Sequence, residues 1–135
     1  QGVRFISAAA NHEATGASTF PFRAFDTDLQ SGYHPDRRDI EIGHDVWLGF
    51  EARVLSGARI GSGCIIGAGA VVRGEVPPYS VVIGNPGQVV KRRFPDPQIT
   101  ALLALAWWNW PEDLIAARHA DIVAADVNRL IAIAP

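Results

Sequence analysis

The hexads Ile42-Gly43-His44-Asp45-Val46-Trp47, Leu48-Gly49-Phe50-Glu51-Ala52-Arg53, Val54-Leu55-Ser56-Gly57-Ala58-Arg59, Ile60-Gly61-Ser62-Gly63-Cys64-Ile65, Ile66-Gly67-Ala68-Gly69-Ala70-Val71 and Val72-Arg73-Gly74-Glu75-Val76-Pro77 follow one another without a gap. Position one is always Ile, Leu or Val, position two is Gly in four of the six, and position five runs Val, Ala, Ala, Cys, Ala, Val. Read this way the register holds from Ile42 to Pro77, and an internal repeat of this kind dictates the architecture before any local propensity does.

A six-residue period matches neither a heptad nor an amphipathic helix. It matches a three-sided coil with one short flat strand per side. A large aliphatic points inward from each side, and a small residue fills each corner. Gly beside the aliphatic lets the backbone bend between sides without a side-chain clash. Three hexads close one coil, and successive coils stack at the ~4.8 Å strand spacing, each extending one apolar column. The expected fold is therefore an all-β solenoid whose coils are stable only when stacked. The pattern resembles the left-handed parallel β-helix of the hexapeptide-repeat acyltransferases. The left hand comes with that resemblance and not with the spacing.

Composition narrows the functional classes. With 135 residues, 48% apolar and 19% charged, the chain is long enough for a real core and is not of disordered type. A net charge of −2 gives no basic footprint for nucleic acid or an anionic membrane. An anionic ligand therefore needs a local basic cluster. The single cysteine, Cys64, falls on a hexad corner, where it reads as a buried small hydrophobe. It can make no intrachain disulfide, and no zinc-ligand spacing is present. No apolar run reaches the ~18 residues of a membrane span and no signal-peptide pattern opens the chain, so a cytoplasmic protein is expected.

Outside the repeat, Val3, Phe5 and Ile6 form a strand-like run that reads as the tail of an earlier coil. The absence of methionine agrees with a truncated or processed start, with N-terminal coils missing. From Asn11 to Asp39 the register vanishes, and the segment reads as a loop thrown out from the coil stack and returning at Ile40. A closing strand follows Pro77, then the basic run Lys91-Arg92-Arg93. Asp96-Pro97 reads as a helix start with Asp96 as the cap. Ile99, Leu102, Leu103, Ala106 and Trp107 follow at helical spacing. A second helix is expected from Glu112 toward Ala120 and a third from Asp126. Two units result, residues 1–93 as the solenoid and 94–135 as a helical cap.

Three blocks carry a finer resemblance: Asn11-His12 followed by Ser18-Thr19-Phe20-Pro21-Phe22, then Ile42-Gly43-His44-Asp45-Val46-Trp47-Leu48-Gly49, then Trp107-Trp108-Asn109-Trp110-Pro111. In this order they resemble the xenobiotic acetyltransferases, the branch that includes streptogramin and hexapeptide-type chloramphenicol acetyltransferases. The resemblance implies an acetyl-CoA-dependent O-acetyltransferase acting on a small-molecule hydroxyl, assembled as a homotrimer with active sites between subunits. It makes His12 the general base. A neutral imidazole with a pKa near ~6.5 can take a hydroxyl proton as the oxygen attacks the thioester, an effect typically contributing ~10²- to 10⁴-fold.

The same resemblance assigns acceptor contacts to Asn11, Phe20, Tyr33, His34 and Trp47, and coenzyme A contacts to Gly49, Phe50 and Ala68. Arg73, Lys91, Arg92 and Arg93 are the candidates for its phosphates. The place after Arg73, often Lys in related acetyltransferases, is Gly74. No metal is expected. His44 reads as an outward surface residue and His119 as solvated. Three other readings stand beside this one: the same chemistry on a sugar or polysaccharide hydroxyl, a zinc hydratase on the same scaffold, which would need three converging histidines, and a non-catalytic trimeric scaffold.

Overall fold

The computed structural model describes residues 1–7, 16–20, 22–25, 38–124 and 126–133. In chain order its elements are β1 (Arg4–Ile6), a four-residue helix α1 (Phe22–Phe25), β2 (Glu41–Ile42), β3 (Trp47–Leu48), β4 (Arg53–Leu55), β5 (Arg59–Ile60), β6 (Ile65–Ile66), β7 (Val71–Val72), β8 (Glu75–Val76), β9 (Ser80–Ile83) and β10 (Gln88–Arg92). The first nine strands are dealt in rotation to three parallel sheets, β1-β4-β7, β2-β5-β8 and β3-β6-β9, and β10 turns back antiparallel on β9. The hexad explains the rotation. Glu41 pairs with Arg59, Trp47 with Ile65 and Arg53 with Val71, each eighteen residues on, so three hexads return the chain to the same sheet one rung higher.

One core lies between the sheets. Val54 and Val72 enter it from the first sheet, Ile60 and Val76 from the second, and Ile66 and Val82 from the third. Ala52, Ala58, Cys64 and Ala70 fill the corners with no exposed surface, as position five of the hexad requires. Each buried aliphatic contributes roughly 1.5–3 kcal/mol. Cys64 is the small buried residue expected: its thiol donates to the Pro77 carbonyl at 3.2 Å, and burial pushes its pKa up. The loop excursion leaves between β1 and β2. Its return is tied at Arg38, whose N–H donates to Ser56 Oγ at 3.0 Å.

The structure corrects two readings of the repeat. Glycine at position two is needed less for bending than for close approach between rungs. A Cβ on Gly43 would lie 2.5 Å from the Ser62 nitrogen, and one on Gly61 2.6 Å from the Pro78 nitrogen. The register also slips once. Val76, placed by the hexad count at a corner, instead pairs with Ile60 in the inward column, and Val82 pairs with Ile66. The last circuit is therefore sixteen residues long. The short side is turned by Gly74 at φ +67°, a conformation that suits glycine.

After β10 come α2 (Asp96–Leu105), a single 3₁₀ turn (Trp107–Asn109), α3 (Glu112–Ile122) and α4 (Val127–Ala132). The expected cap moves by one residue: Pro95 occupies the N-cap position, and Asp96 lies in the first turn, where its charge complements the helix N-terminus. Asp126 does cap α4, accepting from the Asn128 N–H at 3.1 Å. Helices α3 and α4 are joined by Asp121, which is largely buried and bonds Arg129 Nε at 2.8 Å.

A second core of Tyr79, Ile99, Leu102 and Leu130 holds the helices to the last rung. The Tyr79 ring lies against Gly63, where a Cβ would approach it to 2.5 Å. Burial, helped by the Asp45 carboxylate and opposed by the Arg93 guanidinium, pushes the Tyr79 phenol from 10.0 up to about 12.

Two predictions follow from this packing. Gly61→Ala should lower unfolding free energy in urea by about 1–3 kcal/mol, because the methyl meets backbone rather than a flexible side chain; a midpoint equal to wild type would refute the close-approach argument. For Tyr79, below pH 10 native and unfolded phenols are both protonated and stability is independent of this group. From pH 10 to about 12 the unfolded chain releases the proton and the native chain keeps it. Stability should then fall by up to ~1.4 kcal/mol per pH unit, a slope that Tyr79→Phe removes.

Candidate active site

The hexad register brings Trp47, Gly49, Phe50 and Ala68 to one flank of the stack. Trp47 ends a hexad on β3, its N–H donating to the Cys64 carbonyl at 2.9 Å, and its side chain is 66% exposed. Its outward column continues through Ile65 and Val81 on the next rungs. Phe50, also exposed, occupies the turn after β3, and its carbonyl accepts from Gly69 N–H at 2.8 Å. Gly49 sits directly beneath Ala68: a Cβ on Gly49 would reach the Ala68 nitrogen at 2.7 Å. Ala68 is exposed, and its N–H makes no hydrogen bond among the described residues. Exposed backbone between two glycines, bordered by two aromatic side chains, is a surface on which an extended ligand can approach the main chain.

The basic candidates separate. Arg73 is exposed beyond the far end of β7, on the next corner of the stack from Ala68. Lys91 and Arg92 are both exposed on the edge strand β10, and so belong to the sheet that carries Trp47 rather than to a helix approach. Arg92 also reaches Asp96 at 3.7 Å.

Arg93 differs from its two neighbours in also making contacts within the chain. Its Nη1 donates to the Gly63 carbonyl at 2.7 Å, Asp45 stands 4.0 Å away, and its guanidinium lies 5.4 Å from the centroids of both Tyr79 and Phe94. A run of three basic residues does not reveal which one turns inward; the Gly63 contact is the missing information.

His44 is exposed as expected but has a partner from the Trp-rich tail. Its ring stacks on Trp108 with centroids 5.2 Å apart. His119 is exposed, with Nδ1 3.0 Å from the Ala116 carbonyl. Phe20 clusters with Phe22 and Phe25 at centroid separations of 4.8 and 5.7 Å. Asn11, His12, Tyr33 and His34 lie outside the described residues. Among the described residues no three His, Cys, Asp or Glu side chains are grouped to hold a metal, and no helix is long and apolar enough to cross a membrane.

Three sheets filled in rotation by a hexad define a hexapeptide-repeat protein, and the comparisons extend this. The family described as bacterial transferase hexapeptide (six repeats) matches residues 39–74. The chain is 38% identical over 135 residues to a chloramphenicol acetyltransferase of Agrobacterium fabrum, covering 96% of this chain and 64% of that protein. It is 41% identical over 135 residues to a virginiamycin A acetyltransferase of Staphylococcus aureus, covering 96% and 61%. Among solved structures it resembles a maltose O-acetyltransferase from Clostridium difficile 630, with a TM-score of 0.51 and 29% identity over 69% of this chain and 43% of that one. The chain thus resembles the hexapeptide-repeat transferases and, over nearly its whole length, acetyltransferases named for chloramphenicol and virginiamycin A. It spans about three fifths of the length of the curated relatives it matches.

The two arginines should part company on mutation. Arg93→Met should cost about 2–4 kcal/mol in chemical denaturation, from one charge-assisted hydrogen bond and two cation–π contacts. Arg92→Met should cost under ~1 kcal/mol, since its ion pair is exposed. Equal losses would overturn the distinction.

Proposed function

We propose that this chain is the catalytic part of an acetyl-CoA-dependent O-acetyltransferase that acts on a hydroxyl of a small antibiotic-like molecule. The observation that carries the reading is alignment over nearly the whole chain, at about 40% identity, with acetyltransferases named for chloramphenicol and virginiamycin A. In this reading the three-sheet rotation is a left-handed β-helix, residues 1–93, and 94–135 form its helical cap. Copies assemble as trimers with the Trp47 flank of one copy facing a neighbour, and the enzyme works in the cytoplasm, where acetyl-CoA is available.

The chemistry follows from the assigned groups. His12 removes the acceptor hydroxyl proton as the oxygen attacks the acetyl carbonyl carbon, so no free alkoxide forms. A backbone N–H of a neighbouring rung stabilises the oxyanion. Collapse breaks the C–S bond, the imidazolium returns its proton to sulfur, and the acetyl ester and free coenzyme A thiol leave. Gly49, Phe50 and Ala68 hold the pantetheine arm against exposed main chain, Arg73, Lys91 and Arg92 meet the phosphates, and Asn11, Phe20, Tyr33, His34 and Trp47 surround the acceptor. No metal enters this scheme.

A sugar hydroxyl is the second acceptor class, favoured by the likeness to a maltose O-acetyltransferase. Thiol release from acetyl-CoA, measured with chloramphenicol, virginiamycin and maltose as acceptors, separates the two. His12→Ala should reduce turnover by at least about 10²-fold while calorimetry still shows coenzyme A binding. Turnover retained by that variant would remove His12 from its role. Absence of coenzyme A binding by the unaltered protein would favour a scaffold instead.

A further inference from the structure

The outer face of the first sheet, β1-β4-β7, carries positive charge that nothing on the sheet compensates. Val54 faces the core with no exposed surface, so its strand neighbours Arg53 and Leu55 point outward, and by the same alternation Arg4 and Ile6 point outward on β1. Arg4 pairs with Arg53, and Ile6 with Leu55, in the parallel ladder. Two exposed arginines therefore leave the backbone one above the other, their strands ~4.8 Å apart.

The second sheet treats the same register differently. Arg59 there has Glu41 on the rung below at 3.5 Å and Glu75 on the rung above at 3.8 Å. On the first sheet neither Arg4 nor Arg53 makes an ion pair or a side-chain hydrogen bond among the described residues. The third member of their column is Val71, and Glu51, an exposed acid on the corner before β4, pairs with neither. Like charges directly opposite on one sheet face are destabilising. The chain carries a net charge of −2, so a general excess of basic residues does not account for the pair. Each guanidinium keeps its five N–H donors for a partner from outside the chain.

We propose that Arg4 and Arg53 together bind the phosphate group of a phosphate monoester whose organic part lies against Ile6 and Leu55. A monoester carries close to two negative charges at pH 7 and three terminal oxygens, enough to neutralise both cations and to give each planar fork an acceptor edge. A carboxylate brings one charge, and its two oxygens occupy a single fork, which leaves the second arginine uncompensated. Beside the pair, Ile6 is 39% exposed and Leu55 is partly exposed, an apolar column that free phosphate leaves uncovered. The site uses no residue assigned above to acetyl transfer, and it stands or falls separately from that reading.

Phenyl phosphate, inorganic phosphate and benzoate, titrated into the full chain at constant ionic strength and followed through the arginine Nε–Hε signals, test this. Phenyl phosphate should move Arg4 and Arg53 along one saturating curve, while Arg59, held between its two glutamates, stays in place as an internal reference. Benzoate should bind about tenfold more weakly, and inorganic phosphate about threefold more weakly. Arg53→Gln should weaken phenyl phosphate about tenfold and, because it removes the opposed like charge, should leave the thermal midpoint of the free protein no lower than that of the unaltered chain. Arg4→Gln should act in the same way. The proposal is overturned if Arg59 moves as far as Arg4 and Arg53, if either competitor binds as tightly as phenyl phosphate, or if both variants bind it as well as the unaltered protein.

Discussion

The constraint on which the structure depends is the distance between rungs. Parallel strands pair at ~4.8 Å only if nothing protrudes between them at the corners, and here the corner backbones approach so closely that a single Cβ would overlap the next rung. Gly49 N–H donates to the Ile66 carbonyl at 2.7 Å and Gly67 N–H to the Val82 carbonyl at 2.8 Å. The glycines thus make the contacts that transmit register from one rung to the next. The aliphatic columns supply the hydrophobic free energy, but side chains at position two would pry the rungs apart before it could be gained. That spacing also presents the main chain at Ala68 to solvent, so one constraint creates both the fold and the surface proposed to carry the cofactor.

Much of this was legible because the hexad is a direct readout of geometry. Positions one and five predicted the inward and corner residues from Ala52 to Val72, down to Cys64, whereas Ile42, on the first rung, is exposed. The slip at Val76 has a physical cause. Val fits an inward column and a corner equally well, so Val72-Arg73-Gly74-Glu75-Val76 can be threaded with six residues to the side or with four. Gly74 settles it by taking a left-handed conformation, and Tyr79, itself at φ +55°, redirects the chain toward the tail. A periodic count cannot detect a turn whose residues are acceptable in both registers.

The site was legible in a different way. Trp47, Gly49, Phe50 and Ala68 were named through the family resemblance, and the repeat then stacks Phe50 and Ala68, eighteen residues apart, on adjacent rungs. Arg73, Lys91, Arg92 and Arg93 could not be sorted, because what separates Arg93, just past β10, from its neighbours is a contact with the carbonyl of Gly63, thirty residues away. Likewise, the histidine of Gly43-His44-Asp45 reads as a surface residue until the tail returns and stacks Trp108 on it. Contacts between the repeat and the non-repetitive tail leave no periodic trace.

The outer faces explain why the flank bearing Trp47 is the one to which chemistry is assigned. On the sheet of β2, β5 and β8, Arg59 stands between Glu41 at 3.5 Å and Glu75 at 3.8 Å, a ladder that is internally compensated and well hydrated. Such exposed pairs contribute little and offer a ligand few unsatisfied groups. On the sheet of β3, β6 and β9 the corresponding column is Trp47, Ile65 and Val81, which water solvates poorly. Next to it the chain exposes backbone with unused hydrogen-bonding capacity at Ala68, and two cationic side chains stand on the sheet's edge strand. The proposed course of coenzyme A would follow that flank, its pantetheine arm at Ala68 and its phosphates toward the cationic side chains. It has no comparable match on the charged ladder. The repeat is the same on both faces, and what distinguishes them is the residue each side turns outward.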